Sequence, residues 1–230
     1  MEYEVKKLTD NIWTIDEFGV RSFIVVGRDK ALVIDTGMNG VDFISEIRKI
    51  TDLPVVLVNT HSDVDHVGAN SAFAGLPSYA HRDEVKYLAS DEHPYQPVED
   101  GYVFDLGGVK LEVVATPGHT PGHICLFDRE HGILFTGDTA SEVPIWMFGD
   151  DKRNLEAFRD SLKKLIALDG IKELFPCHGN IPTKPEGLFE DILALAENVE
   201  RGNSEWVEAE PMEGVKVKLH KLGRAQIFTF

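Results

Sequence analysis

Pro54-Val55-Val56-Leu57-Val58-Asn59-Thr60-His61-Ser62-Asp63-Val64-Asp65-His66-Val67-Gly68 decides how this chain is read. Val55 to Val58 is apolar and rich in β-branched residues, the length and composition of a fully buried strand. It ends abruptly in polar residues, and four potential metal ligands follow within a few positions: His61, Asp63, Asp65 and His66. Groups just past the carboxyl end of a buried strand line the crevice where open α/β sheets bind ligands. Imidazole nitrogen mixed with carboxylate oxygen suits zinc, iron or manganese, whereas calcium or magnesium draws oxygen ligands alone. Taken alone, the stretch has a weaker alternative reading as a polar turn with two surface histidines and two capping aspartates. Three further His- or Asp-bearing segments, each behind a short apolar run, argue against that reading.

The chain has 230 residues, 43% of them hydrophobic, enough for one sizeable core or for one domain of two similar halves, roughly residues 1–115 and 116–230. A net charge of -16 argues against nucleic acid or an anionic membrane as partner, since phosphates are bound through Lys and Arg. A small-molecule substrate is the simpler expectation, with oligomeric state open, a homodimer included. Met1 to Asp10 is charged and lacks a signal-peptide core, and no run of 18 apolar residues occurs, so a cytoplasmic location is expected. Cys125 and Cys177 are too few for a disulfide framework and read as buried, inert thiols.

Ile12 to Ile15, Ser22 to Val26 and Ala31 to Ile34 read as successive strands, the last ending in Asp35-Thr36-Gly37. Asp35 is read as a support that accepts hydrogen bonds from the ligand loop. Asp42 to Ile50 is a short amphipathic helix, which Pro54 keeps from continuing. Ser78 to Ala80 reads as a strand, Asp83 to Ala89 as a helix with His81 as a surface or capping residue, and Ser90 to Gly101 as an irregular polar loop. Val103 to Leu106 and Lys110 to Ala115 form a hairpin across Gly107-Gly108. In Thr116-Pro117-Gly118-His119-Thr120-Pro121-Gly122-His123, turns hold His119 at a strand end as a ligand candidate, and His123 reads as structural.

Strand Gly132 to Phe135 leads into Thr136-Gly137-Asp138, where a buried carboxylate is costly unless paired or metal-bound. The apolar loop from Ala140 to Asp151, with Trp146, Met147 and Phe148, is the expected substrate wall. Asn154 to Leu168 and Gly187 to Glu200 are amphipathic helices, and Glu173 to Pro176 is a strand that delivers Cys177-His178-Gly179. Gly214 to Phe230 alternates as one or two strands, expected to pair with the N-terminal sheet, with His131 and His220 facing solvent.

Asp35 in Ile-Asp-Thr-Gly, the His61 to His66 block with Gly68, His119 in Thr-Pro-Gly-His-Thr, Asp138 in Thr-Gly-Asp and His178 in Cys-His-Gly together resemble the metallo-β-lactamase fold, motif by motif and in order, across essentially the whole chain. The resemblance implies a single α/β (α+β) domain, a four-layer αββα sandwich, with a pair of metal ions. By motif position, His61, residue 63, His119 and bridging Asp138 would hold the first metal, and Asp65, His66, Asp138 and His178 the second. The family pattern has a histidine where Asp63 stands. An aspartate there implies either a harder, more anionic first site suited to iron or manganese rather than zinc, or a first site too weak to fill, leaving one ion.

The resemblance implies a hydrolase in which metal-activated hydroxide, oriented by Asp65 as the catalytic residue, attacks the carbonyl of a small ester, thioester or lactone. A rival is iron-dependent oxidation, as in flavodiiron proteins, where a glutamate replaces the same histidine, or in persulfide oxidation at a single iron. The flavodiiron reading needs a separate redox partner, because no flavodoxin-like segment follows. A third reading is a metal-stabilised binding module without catalysis.

Overall fold

The apolar run that opens the ligand loop, β5 (Val55–Val58), is buried at all four positions and sits inside a seven-stranded sheet. The computed structural model describes residues 3–149 and 151–230; Met1, Glu2 and Asp150, which belong to the charged start and to the expected substrate loop, lie outside the described residues. The chain divides into two units, Met1–Ala115 with Leu126–Glu130, and Thr116–Cys125 with His131–Phe230.

In the first unit, β1 (Tyr3–Lys7), β2 (Ile12–Glu17), β3 (Val20–Val26), β4 (Ala31–Ile34), β5, β6 (Ser78–His81) and β7 (Gln96–Val98) lie side by side in chain order. The first four are antiparallel neighbours, whereas β4, β5, β6 and β7 run parallel. Parallel strands need crossovers. Between β4 and β5 this is α1 (Phe43–Ile50), whose first turn is capped by the Asp42 carboxylate accepting the Ser45 N–H at 3.1 Å. Phe43 and Ile47 carry its apolar face into a core with Ile15, Ile24, Val33, Leu57 and Phe73. A short helix α2 (Val64–Val67) and a 3-10 turn at Asn70–Phe73 follow β5, and α3 (Arg82–Leu88) follows β6.

Two strands here escape the sequence pattern. β1 is an edge strand whose charged residues Glu4, Lys6 and Lys7 give it no apolar run, and β7, at the other edge, carries Pro97 inside the expected irregular loop. The hairpin of β8 (Val103–Asp105) and β9 (Lys110–Ala115) turns on Gly107 and Gly108, both with positive φ.

β10 (Ile124–Asp128) begins in the second unit. There, β11 (Ile133–Gly137) pairs in parallel with β13 (Glu173–Pro176), and the crossover carries α4 (Leu155–Ile166), capped by Asn154. α5 (Leu188–Glu200) buries Leu188, Phe189, Ile192, Leu195 and Ala196. The tail forms β14 (Trp206–Met212), β15 (Val215–Leu222) and β16 (Ala225–Thr229), which join β12 (Ile145–Trp146) in a four-stranded sheet of order β12-β16-β15-β14. This corrects the expected pairing with the N-terminal sheet. Alternation specifies a strand but not its neighbour, and Val217 and Phe228 find their apolar partner in Phe148. His220, expected at the surface, is 5% exposed with Nε2 3.0 Å from Thr229 Oγ1; His131 is exposed. No helix among the described residues is long and apolar enough to cross a membrane.

Candidate metal centre

The first unit fixes two imidazoles through one buried carboxylate. Asp35, fully buried at the end of β4, takes a left-handed φ of 61°, which Asp tolerates better than most side chains. Its Oδ1 accepts the Thr60 N–H at 2.7 Å, and its Oδ2 accepts the Thr60 hydroxyl at 2.7 Å and faces His66 Nδ1 at 2.9 Å. An ionised carboxylate only accepts, so the His66 proton sits on Nδ1. Thr60 has spent its hydroxyl proton on Asp35, so at 3.0 Å it accepts from His61 Nδ1–H. Both imidazoles therefore present Nε2 as a lone pair. This is the tautomer that ligates a metal while the other nitrogen donates to an oriented partner.

Each Nε2 faces a carboxylate of the same loop. His61 Nε2 is 3.6 Å from Asp63 Oδ2, and His66 Nε2 is 3.7 Å from Asp65 Oδ2. Two ligand atoms on a tetrahedral zinc, each about 2.1 Å from the ion, stand about 3.4 Å apart. Asp63 occupies the N-cap position of α2 without capping it, its carboxylate lying beside His61. The loop is braced from behind. The His66 carbonyl accepts the Thr36 N–H at 2.8 Å and Asn59 Nδ2 at 3.0 Å. Asn70 Oδ1 accepts the Thr36 hydroxyl at 2.7 Å, and Asn70 Nδ2 donates to Tyr95 Oη at 2.8 Å. Tyr95 in turn donates to Asn59 Oδ1 at 2.7 Å, its pKa raised by burial and the Asp35 charge. Gly68 is obligatory, since a Cβ there would lie 1.3 Å from the Met38 carbonyl oxygen.

The second unit offers one carboxylate to two imidazoles. Asp138 Oδ2 is 3.6 Å from His119 Nε2 and Asp138 Oδ1 is 3.5 Å from His178 Nε2. His123 positions Asp138, its Nε2 accepting the Asp138 N–H at 3.0 Å. Its proton is then on Nδ1, 2.9 Å from both the Thr116 and the Thr139 hydroxyls. With both nitrogens engaged, His123 acts as a support. His119 sits on a turn pinned to α4: the Gly118 carbonyl accepts the Asn154 N–H at 2.8 Å, and Arg153 donates to the His119 carbonyl. Gly118 has φ 134°, and a Cβ there would lie 2.3 Å from the Phe158 nitrogen.

Cys125 and Cys177 are buried, and burial pushes the Cys125 thiol up to about 12, so it stays protonated. His81 caps α3 by accepting the Asp83 N–H at 3.3 Å. Trp146 is half-buried and stacks on Phe148 at 5.1 Å; Met147 and Phe148 are buried, Phe148 against Val217 and Phe228. The sequence reading omits Asn59, Thr60, Asn70 and Tyr95, whose types are too common in loops to stand out. It also leaves Thr36 without a role.

Imidazole Nε2 atoms set against carboxylate oxygens are candidate metal-ligand groups, nitrogen and oxygen donors of the kind that divalent transition metals take. The family model of the metallo-beta-lactamase superfamily matches residues 15–178, and the chain belongs to that superfamily. It is 32% identical over 187 residues to the lactamase-like protein ptaB of Pestalotiopsis fici, a match covering 80% of this chain but only 58% of that protein. It is 29% identical over 185 residues to uncharacterized protein ML0493 of Mycobacterium leprae, covering 66% of this chain and 82% of that one. Its fold is similar to that of a metallo-beta-lactamase from Pontibacter korlensis, with a TM-score of 0.70 at 23% identity over 86% of this chain and 100% of that one. The fold type expected from the sequence is thus the one observed.

Proposed function

We propose that the chain is a cytoplasmic, metal-dependent hydrolase of a small ester, thioester or lactone, with His61, Asp63, His119 and Asp138 holding one cation and Asp65, His66, Asp138 and His178 a second. The observation that carries this reading is Asp138, whose two oxygens each face a different imidazole Nε2, at 3.6 and 3.5 Å. Membership of a superfamily made up mostly of hydrolytic metalloenzymes supports it. When bound, divalent cations in such a donor set acidify water and polarise a carbonyl oxygen. Asp65, half-buried, orients the attacking water and accepts a hydrogen bond from it as well as serving as a ligand. Asp138 sets the spacing between the two ligand sets, and Asp35 keeps the His66 proton on Nδ1 directly and the His61 proton on Nδ1 through Thr60. Trp146, Met147 and Phe148 form the apolar wall that receives the substrate. The test is elemental analysis of protein purified without added metal, followed by a panel of esters, thioesters and lactones.

A second reading, iron-dependent oxidation with a redox partner, is favoured by one observation: a carboxylate, that of Asp63, stands 3.6 Å from His61 Nε2. Zinc or manganese with esterase turnover supports hydrolysis, whereas two irons with oxygen consumption supports oxidation.

A further inference from the structure

The segment that the family model matches ends at residue 178, so α5 and strands β14 to β16 lie beyond it. From the turn between β15 and β16, Arg224 reaches back into the loops that follow Asp138 and His178. Its Nε donates to Glu142 Oε1 at 2.9 Å, Nη2 stands 2.9 Å from the same oxygen as an ion pair, and Nη1 and Nη2 donate to the Glu186 and Lys184 carbonyls, each at 3.0 Å. Its backbone N–H donates to Asp191 at 2.8 Å, an approach open because residue 223 is glycine: a Cβ there would lie 2.1 Å from Asp191 Oδ2.

Glu142 is the meeting point. It stands four residues after Asp138, and its carbonyl also accepts Gln226 Nε2 at 2.8 Å. Its second oxygen, Oε2, accepts Asn180 Nδ2, two residues after His178, at 3.4 Å. Next to it, Val143 lies against Gly179, where a Cβ would come within 3.0 Å of Val143 Cγ1. One planar guanidinium thus satisfies a carboxylate and two carbonyls at once, a fork that the point charge of a lysine does not reproduce.

We propose that Arg224 is a positioning residue that ties the loop after Asp138 to the loop after His178, so that the C-terminal strands set the Asp138–His178 spacing and with it the affinity for the cation these residues share. This rests on the metal-hydrolase reading above. Arg224 acts through Glu142.

The experiment titrates metal-free protein with zinc against a chromogenic chelator, for the wild type, Arg224→Lys, Arg224→Met and Glu142→Gln, and records a melting curve of each. Ile192→Val, a buried apolar change on α5 that removes none of these hydrogen bonds, calibrates the effect of lost stability alone. The expected result is that both Arg224 variants weaken the second zinc equivalent about 10-fold or more, the scale of outer supports at metal sites. Glu142→Gln gives a smaller loss, and Ile192→Val leaves the affinity unchanged. Wild-type binding with unchanged affinity in the Arg224 variants overturns the role of Arg224 alone, as does an equal loss in Ile192→Val. A wild type that binds no zinc overturns the metal-hydrolase reading and this inference together.

Discussion

Replacing Asp35 with asparagine tests the hydrogen-bond relay that sets the tautomers of His61 and His66. The substitution keeps the shape of a fully buried side chain but turns one acceptor oxygen into a donor. With the amide oxygen kept against the Thr60 N–H, the new NH2 sits where Oδ2 was, 2.7 Å from the Thr60 hydroxyl and 2.9 Å from His66 Nδ1, both of which carry protons. The opposite orientation sets NH2 against the Thr60 N–H, which cannot turn away. The first arrangement is relieved only if His66 moves its proton to Nε2, the nitrogen offered to a cation. One unmade buried hydrogen bond costs about 1–3 kcal/mol, a fall in melting temperature of about 2–12 °C for a chain of this size. Loss of an oriented support costs about 10- to 100-fold in metal affinity, or about 1.4–2.8 kcal/mol. Calorimetric zinc titration gives the affinity, and long-range 1H–15N correlation of the imidazoles reads the tautomer directly. A variant with wild-type affinity and Nδ1-protonated His66 would refute the relay.

Asp63→His is expected to move metal preference toward zinc or to raise stoichiometry, read by elemental analysis after growth on mixed metals; unchanged content and activity would put Asp63 outside the coordination sphere. Gly68→Ala is expected to cost about 3 kcal/mol or more, measured by urea unfolding, because its Cβ would meet the Met38 backbone, which cannot swing aside. Burial holds the His93 pKa below its ordinary value, so between that value, about 6.5, and the lower folded one the unfolded chain binds more protons. Its contribution is therefore intact above pH 6.5 and is lost as pH falls through that window. Unfolding midpoints from pH 7.5 to 5 are expected to fall less steeply in His93→Gln than in the wild type.

The ligand loop was legible because chemistry and strand signal coincide there: β5 is an unbroken apolar run, and His61 to His66 follow within one stretch. Asp138 and His178 stood out by the same rule, each next to a glycine just past a short apolar strand, and His119 by its place between proline-glycine turns. The supports were not. Tyr95 meets Asn70 across 25 positions and Arg224 meets Glu142 across 82, and no local pattern marks such pairs. The tail shows the limit of alternation most clearly. Val215, Val217 and Leu219 identify a strand, yet its sheet is set by Phe148 and Phe228, whose meeting only the folded chain reveals.

The most direct measurement is the metal content of wild-type protein and of Asp138→Ala, purified side by side without added metal and checked for retained folding by circular dichroism. Two equivalents of zinc, iron or manganese per wild-type chain, and at most one in a folded Asp138→Ala, is the predicted result. Equal metal in the two proteins, or none in the wild type, would contradict the claim that Asp138 serves two cations.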